Sequence, residues 1–228
     1  MNATVIIPAL NEEEAIGGLV ARVPRASATE VIVVDNGSTD ATAAVAKAAG
    51  ARVVVERCRG YGAACWAGVA ALRDDVSVAA FLDGDGSQRP EELPRVLEPI
   101  LLGRADLVLG ARALTSGTHP LHAALGTRLV SAFIRRRYGV AITDIGPFRA
   151  IRVELLHRLR MRDRAFGWPV EMVVKAAALR ARIIEVPVTH APRVAGRSKV
   201  SGTLVGTVRA GYAFIATALR AARDVTAP

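Results

Sequence analysis

Short apolar runs alternate with longer segments of helical length over the first half of the chain. Each run has the length of a buried strand and is followed by polar or turn-forming residues; the runs are 4–7, 30–34, 52–55, 78–82 and 106–110. Predicted helices lie between them, over 11–23, 38–49, 60–72 and about 90–102. The expected N-caps of the first two helices are Asn11 and either Ser38 or Thr39. Strands that alternate with helices in this way predict a Rossmann-like, mostly parallel sheet with helices on both faces.

The second half of the chain predicts more helix than strand. Helices are expected over 121–138, 154–159, 168–179 and from 203 to about 223, with one strand over 183–188. Loops are expected over 115–120 and 191–202, and a turn-rich bend over 143–150. Because no linker or internal repeat separates the halves, we expect a single α/β domain over 1–228.

Two carboxylates follow the apolar run 78–82. Asp83 and Asp85 are two residues apart, so in an extended or loosely turned backbone they point to the same side, while Gly84 and Gly86 allow a ligand to approach the main chain. Paired carboxylate oxygens at the end of a strand suit Mg²⁺ or Mn²⁺. An ordinary Asp-Gly turn in a surface loop explains the same residues, and this stretch alone does not decide between the two.

Polar residues recur at the ends of the predicted strands. Asn11 and Glu12 follow the first strand, Asp35 ends the second, and Asp83 with Asp85 follows the fourth. Each is individually explained by a helix cap or a turn, but their recurrence at one edge of a parallel sheet predicts a nucleotide site. The chain has neither a P-loop nor a dinucleotide fingerprint, which argues against an NTPase or a dehydrogenase.

Composition and charge restrict the classes of binding partner but do not choose one. The 228 residues are 51% hydrophobic with a net charge of +9, which favours nucleic acid, an anionic membrane surface or a phosphorylated substrate. Basic residues cluster at 135–137 and 193–199 without interleaved aromatics, so nucleic-acid binding is only a remote alternative. Cys58 and Cys65 fit no paired metal or redox spacing, and no leader or membrane-spanning run is evident. We expect a cytoplasmic protein with peripheral contact to the inner face of the membrane.

Several motifs in order resemble family-two glycosyltransferases with the glycosyltransferase A-type fold. They are VIIPALNE at 5–12, VVDNGS at 33–38, RGYGA at 59–63 and DGD at 83–85. Later motifs are similar to the dolichyl- or polyprenyl-phosphate mannosyltransferase and glucosyltransferase branch; they are GPFRA at 146–150, FGWPVEM at 166–172 and VP at 186–187 followed by the basic stretch 193–199. The resemblance implies a nucleotide-sugar and metal-binding half over 1–112, an acceptor half over 113–202 and a C-terminal helix over 203–228.

The resemblance also implies a site for a GDP- or UDP-hexose. Its donor-binding residues would be Pro8, Ala9, Asn11, Glu12, Asp35, Gly37, Arg59, Gly60, Ala63, Asp83 and Gly84. Asp83 and Asp85 would hold the metal, with Ser87 or Gln88 as a third ligand. The catalytic set would be Asp85, Arg112, Glu171, Arg197 and Lys199, because a cation and fixed positive charges stabilise the departing nucleoside diphosphate.

The kind of acceptor, a hydroxyl or a phosphate, can be inferred from whether the chain provides a catalytic base. Transfer to a hydroxyl needs a carboxylate to take its proton, and many relatives carry Glu-Asp where this chain has Glu171-Met172. A phosphate acceptor needs no base, so we expect a polyprenyl phosphate and inversion at the anomeric carbon. Its expected binding residues are Arg112, Arg128, Ser131, Arg149, Arg193 and Ser198. The alternative is a soluble hydroxyl acceptor with Glu171 as base; the sequence does not indicate an oligomeric state.

Overall fold

The computed structural model describes residues 2–112, 121–194 and 216–222, without the side chains of 121–128. The strands are β1 (Asn2–Ala9), β2 (Glu30–Asp35), β3 (Arg52–Val55), β4 (Val76–Phe81), β5 (Leu107–Arg112), β6 (Arg149–Arg152) and β7 (Ile183–Val188). The helices are α1 (Glu13–Ala21), α2 (Thr42–Ala48), α3 (Tyr61–Ala70), α4 (Leu93–Leu101), α5 (Leu121–Tyr138), α6 (Val153–Leu159) and α7 (Trp168–Ala178). A 3₁₀ turn, Pro90–Glu92, precedes α4, and residues 216–222 are helical.

All seven strands form one sheet in the order β3-β2-β1-β4-β6-β5-β7. Its strands are parallel except β6, which runs antiparallel to β4 and β5. The sequence pattern placed β6 inside a turn-rich bend, because a four-residue segment with Arg149 and Arg152 at its ends carries no apolar run. The predicted single α/β domain with a mostly parallel sheet is otherwise confirmed.

Helices cover both faces of the sheet, and the strands supply a core to each. In β1, Val5 and Ile7 face the core built with α1 and α4, while Ile6 between them faces the core built with α3 and α7. Successive residues of a strand point to opposite faces, so an unbroken apolar run is what a doubly covered strand requires. This explains why the strands were recognisable from apolar runs alone.

The expected helix caps were wrong. The N-cap residues of α1 and α2 are Glu12 and Ala41, and neither side chain caps its helix. Asn11 instead takes a positive φ of 51°, and its side-chain oxygen accepts a hydrogen bond from the Thr39 amide at 2.8 Å. Ser38 accepts one from the Asn11 amide at 3.0 Å. The polar residues after β1 and β2 therefore bind the two loops to each other at the edge where the strands end.

Three expectations lie wholly or partly outside the described residues. These are the loop 115–120, the basic stretch 195–199 and most of the C-terminal helix. Within the described part, 216–222 packs on the rest of the domain, with the Thr217 hydroxyl 3.3 Å from Asp163. Among the described residues, no helix combines the length and apolar character needed to cross a bilayer.

Candidate active site

The ends of β1, β2 and β4 bring the predicted carboxylates to one edge of the sheet. Ala9 and Asp35 are paired neighbours, and β4 leads into Asp83 on the other side of β1. Asp85 is buried, with 9% of its surface exposed, and Asp83 is half-buried. The two carboxylates therefore lie beside the strand ends and not in an open surface loop, which favours the site over the simple turn.

Hydrogen bonds within residues 83–88 fix the turn that carries both carboxylates. The Asp83 amide donates to Gln88 Oε1 at 2.9 Å, and the Ser87 amide donates to Asp85 Oδ1 at 2.9 Å. Gly86 has a positive φ of 73°, and a Cβ there would lie 2.6 Å from Val194 Cγ2. Gln88 Oε1, the atom that would ligate a metal, is thus already bonded to the Asp83 amide. Whether Ser87 or Gln88 is the third ligand stays a prediction.

Asp83 has an unusual electrostatic environment. Burial and the like charge of Asp85 raise its pKa to about 6, although Arg149 and hydrogen bonds from Tyr61 and Gln88 oppose the rise. Its Oδ1 atom is buried and has no hydrogen-bond partner in the described part of the chain. Two neighbouring carboxylates with an unused buried oxygen fit a divalent cation, which relieves both the burial and the repulsion.

The remaining ligands of such a cation would come from a substrate. In the described ranges, no group of three or more His, Cys, Asp or Glu side chains is arranged to hold a metal. Mg²⁺ and Mn²⁺ sites in nucleotide-using enzymes commonly have one or two carboxylates and complete the shell with phosphate oxygens and water. The donor set of Asp83 and Asp85 therefore fits a metal that binds together with a diphosphate.

Arg193 spans the same site from the segment after β7. Its Nη2 donates to Glu12 Oε1 at 2.8 Å, and its Nη1 lies 3.3 Å from Asp85 Oδ2. The Val194 amide donates to the Asp85 carbonyl at 3.1 Å, so the backbone follows the turn 83–88 as well. Arg193 was expected at the acceptor, but the structure places its charge between a predicted donor residue and a predicted metal ligand.

The other predicted donor residues of β1 and β2 form a connected rim. Asp35 is buried and accepts a hydrogen bond from the Ser38 amide at 3.0 Å, while the Glu12 amide donates to the Thr42 hydroxyl at 2.8 Å. Pro8 and Ala9 are buried in the last part of β1. These contacts hold the backbone around the rim.

Asn36, which sequence reasoning passed over, organises the next part of the rim. Its side-chain amide donates to the carbonyls of Glu56 and Cys58 at 3.0 and 2.8 Å and accepts from the Gly60 amide at 2.8 Å. Arg59 is thereby held beside Gly37, whose carbonyl accepts from Arg59 Nη2 at 3.2 Å. Asn36 was present in the motif VVDNGS at 33–38, but the motif gave it no role of its own.

Gly60 and Ala63 lie where α3 meets the loop before α7. Gly60 has a φ of 150°, and a Cβ there would collide with the Arg164 carbonyl. The Ala63 amide donates to that same carbonyl at 2.9 Å. Close packing against Arg164 therefore accounts for the glycine, and a direct donor contact at either residue stays a prediction.

Arg112 is held rigidly by Asp144, a second residue that sequence reasoning missed. Arg112 Nε and Nη2 donate to the two carboxylate oxygens at 2.7 and 2.8 Å, and its amide donates at 3.0 Å. Burial would raise the pKa of Asp144, but the hydrogen bonds and charge of Arg112 outweigh it and hold the pKa below its usual range. Arg112 is also close enough to interact with Asp83.

Arg149 lies deeper than expected. Its side chain is fully buried; Nε donates to the Pro147 carbonyl at 3.1 Å, and Nη2 reaches the Tyr61 hydroxyl at 3.5 Å. Nearby Cys65 is buried in the same region, and burial raises the pKa of its thiol to about 12 although Arg149 opposes the rise. Direct binding of an acceptor phosphate by Arg149 conflicts with this burial, because a ligand arriving from solvent does not meet its guanidinium.

The Glu171 carboxylate is buried and already bonded, unlike a base that must reach a substrate hydroxyl. Its carboxylate lies 2.6 Å from Lys175 Nζ and accepts from the amides of Arg162 and Asp163 at 2.7 to 3.1 Å. The side chain is buried, with 3% of its surface exposed. These contacts engage both oxygens in holding the loop before α7, so the structure argues against Glu171 as a proton acceptor for a substrate.

Four predicted acceptor or catalytic residues cannot be placed. The side chain of Arg128, on α5, and the whole of Arg197, Ser198 and Lys199 lie outside the described residues. Ser131, one turn beyond Arg128 on α5, is buried, and its hydroxyl has no partner in the described part of the molecule.

Comparison with known proteins places the chain among glycosyltransferases. The family described as Glycosyl transferase family 2 matches residues 4–160. An uncharacterised glycosyltransferase of Mycobacterium tuberculosis is 43% identical over 206 residues, which cover 90% of this chain and 92% of the relative. The undecaprenyl-phosphate mannosyltransferase of Micrococcus luteus is 34% identical over 224 residues, which cover 90% of each chain.

Solved structures agree with the fold. Glucosyl-3-phosphoglycerate synthase from Mycobacterium tuberculosis, in complex with Mn²⁺, uridine diphosphate and phosphoglyceric acid, superimposes with a TM-score of 0.79 at 26% identity. The match covers 97% of this chain and 78% of that one. The same enzyme has also been crystallised with Mg²⁺ and uridine diphosphate. The predicted cofactor, Mg²⁺ or Mn²⁺, agrees with the ions in these structures. On its sequence and its fold, this chain is an enzyme that belongs to glycosyl transferase family 2.

Proposed function

We propose that the enzyme transfers a hexose from a GDP- or UDP-sugar to a polyprenyl phosphate, with inversion and with a divalent metal. One observation carries the proposal: Asp83 and Asp85 lie at the same sheet edge, a buried oxygen of Asp83 has no partner in the described residues, and Arg193 lies 3.3 Å from Asp85. The undecaprenyl-phosphate mannosyltransferase of Micrococcus luteus, which is similar to this chain over 90% of its length, supports a polyprenyl phosphate as the acceptor.

Asp83 and Asp85 would hold the metal, and the metal would neutralise the diphosphate of the donor as the glycosidic bond breaks. The rim built by Asp35, Asn36 and Arg59 is proposed to receive the base and ribose. This rim lies along the ends of β1 and β2, beside the metal turn, which is where nucleotides bind in open α/β sheets. The sugar would then lie beyond β4.

Arg193 is proposed to pass from Asp85 to the donor phosphates once the metal is bound. A guanidinium pairs well with phosphate oxygens, and the metal removes the negative charge that holds Arg193 in place. Arg197 and Lys199, outside the described residues, are proposed to join it. These cations would stabilise the charge that develops on the leaving nucleoside diphosphate.

The acceptor is proposed to attack as a phosphate oxyanion, which requires no base. Support comes from Glu171, whose carboxylate is occupied by Lys175 and by two backbone amides. Arg112 is proposed to bind the acceptor phosphate, because Asp144 presents its guanidinium in a fixed orientation near Asp83. Arg128, Ser131 and Ser198 are proposed as further contacts. Attack from the side opposite the leaving group inverts the anomeric carbon.

Peripheral contact with the cytoplasmic face of a membrane is part of the proposal. Arg135, Arg136 and Arg137 are exposed in the last turn of α5. Anionic lipid attracts such clusters by about 1 kcal/mol per basic residue near the surface. This contact would bring the enzyme to an acceptor whose hydrocarbon chain stays in the bilayer.

A soluble acceptor is the second candidate, since the solved relative with Mn²⁺ contains phosphoglyceric acid. The deciding experiment incubates the enzyme and Mn²⁺ with a panel of radiolabelled GDP- and UDP-hexoses and either a short polyprenyl phosphate or 3-phosphoglycerate. We expect label in the lipid product, and none with the Asp85→Asn variant. Label only in the water-soluble product would favour the second candidate. No transfer and no nucleotide binding under any condition would contradict both.

A further inference from the structure

A buried polar cluster lies next to the Asp83 carboxylate. It consists of Tyr61, the first residue of α3, and Arg149, the first residue of β6. Arg149 is fully buried and its Nη2 donates to the Tyr61 hydroxyl oxygen at 3.5 Å. The Tyr61 hydroxyl in turn lies near the Asp83 carboxylate, and each of the two groups affects the pKa of the other. The three side chains thus form one polar cluster that includes a predicted metal ligand.

The direction of the hydrogen bonds in this cluster follows from donor and acceptor chemistry. A guanidinium is a donor only, so the Tyr61 oxygen accepts from Arg149 and its own hydrogen remains for another acceptor. The nearby acceptor is the Asp83 carboxylate. Oδ1 of Asp83 and Nη1 of Arg149 are both buried without a partner in the described part of the chain. Since buried charged atoms are nearly always paired, the unpaired Asp83 oxygen is the atom of this cluster that a cation would satisfy.

Tyr61 is held in position by its surroundings. The amide of Gly62 donates to the Ala165 carbonyl at 3.0 Å, and the ring of Phe166 stacks on Tyr61 with centroids 6.5 Å apart. The loop before α7 therefore clamps the start of α3. A tyrosine fixed in this way directs its hydroxyl without a large loss of side-chain entropy on ligand binding.

Arg149 is held by the sheet itself. It pairs with Phe81, the last residue of β4, and with Leu109 of β5, so it lies between two strands. The antiparallel strand β6 brings a cation against the end of the strand that leads into Asp83. A buried guanidinium is costly unless it is compensated, and the negative charge of Asp83 compensates it here.

We propose that Tyr61 and Arg149 are positioning residues for the metal site: Tyr61 orients the Asp83 carboxylate, and Arg149 orients Tyr61. The inference rests on the proposed function, because it assigns a role toward the metal that Asp83 and Asp85 would hold. Hydrogen-bond partners of metal ligands commonly contribute roughly tenfold or more to metal affinity. Neither residue contacts the metal or the substrate in this assignment.

The test measures Mn²⁺ binding by electron paramagnetic resonance of the free ion, with and without UDP, and needs no turnover. Tyr61→Phe removes only the hydroxyl and keeps the ring that stacks on Phe166. We expect its dissociation constant for Mn²⁺ to rise about tenfold. The matched control is Tyr138→Phe, which removes another buried hydroxyl, at the end of α5, and should leave Mn²⁺ binding unchanged.

Arg149→Lys keeps the charge but shortens the reach toward Tyr61, and it should weaken Mn²⁺ binding in the same direction. If Arg149 acts through Tyr61, the double variant should bind Mn²⁺ about as weakly as the weaker single variant. If the losses of Mn²⁺ affinity in the two single variants add up in the double variant, Arg149 does not act through Tyr61. Wild-type affinity in a folded Tyr61→Phe protein would overturn the inference alone, whereas a wild-type enzyme that binds no Mn²⁺ even with UDP would overturn the proposed function as well.

Discussion

The guanidinium of Arg193 lies 3.3 Å from the carboxylate of Asp85 and 2.8 Å from that of Glu12. A positive charge therefore stands between two carboxylates, those of Glu12 and Asp85, that would otherwise repel each other. The pairing links the segment after β7 to the metal turn, so a metal at Asp85 and Arg193 compete for the same negative charge.

Arg193→Gln should bind Mn²⁺ more tightly than the wild type when no nucleotide is present. Removal of a cation beside Asp85 leaves its charge to the metal, and we expect an affinity gain of about fivefold, or about 1 kcal/mol. With UDP present the order should reverse, because the variant lacks a partner for the phosphates. Calorimetric titration measures both. Arg22→Gln, at an exposed pair with Glu91, is the control and should change neither affinity; equal or weaker nucleotide-free binding in Arg193→Gln would contradict the competition.

Asp144→Asn should lower kcat/KM for transfer by about tenfold to a hundredfold, because Arg112 loses the charged partner that fixes its orientation. Steady-state assays at limiting acceptor measure this loss. Asp106→Asn is the matched control: Asp106 also makes a two-pronged pair, with Arg182, but at the opposite end of β5. That variant should lower the melting temperature and leave kcat/KM unchanged. An Asp144→Asn enzyme with normal kcat/KM would show that the orientation of Arg112 does not matter.

Metal binding should weaken in acid. The pKa of Asp83 is raised to about 6, so the free protein takes up a proton on this carboxylate as the pH falls through about 6, and a protonated carboxyl is a poor metal ligand. Nucleotide-free Mn²⁺ affinity should be nearly constant above about pH 7 and fall up to about tenfold per unit below about pH 6. Binding measured across this range in the absence of UDP checks the prediction. A constant affinity down to about pH 5 would exclude Asp83 as a ligand with this pKa.

Two adjacent glycines of α1 should respond to alanine with opposite signs. A Cβ at Gly18 meets no atom within 4 Å, whereas one at Gly17 would lie 2.9 Å from Val45 Cγ1 in α2. Gly18→Ala should raise the free energy of unfolding by about 0.5 to 1 kcal/mol, because alanine favours the helix and restricts the unfolded chain. Gly17→Ala should lose this gain or become destabilising through the contact with Val45. Urea denaturation of both variants measures the difference. Equal stabilisation would mean that Val45 and α2 move away from the new methyl group at no cost in free energy.

The local pattern of the sequence was sufficient for most of the architecture. The strands β1, β2 and β4 are apolar on both faces because helices cover both, so each appears as an uninterrupted run. The parallel arrangement follows from the helices between them. Likewise, Asp35, Asp83 and Asp85 were recognisable as a group because parallel strands bring their ends to one edge of a sheet.

The sequence pattern could not predict the chemical roles of individual side chains. Glu171 and Arg149 have residue types suited to catalysis, but whether they meet a substrate depends on burial and partners contributed by distant segments. Asn36 had no predicted role and Asp144 lay in a predicted turn, and their roles follow from hydrogen bonds to residues 20 to 32 positions away. Such contacts have no local signal because side-chain hydrogen bonds form across the folded chain.

The sequence by itself determined a doubly covered parallel sheet and a row of carboxylates at its edge, because strand length, apolar runs and chain order are local properties. Only the tertiary structure decided that β6 enters the sheet antiparallel, that Arg193 reaches Asp85, and that Arg149 is buried near Asp83. The physical reason is that pairing direction, burial and charge compensation depend on which distant segments meet, and on the free energy of bringing polar groups out of water together.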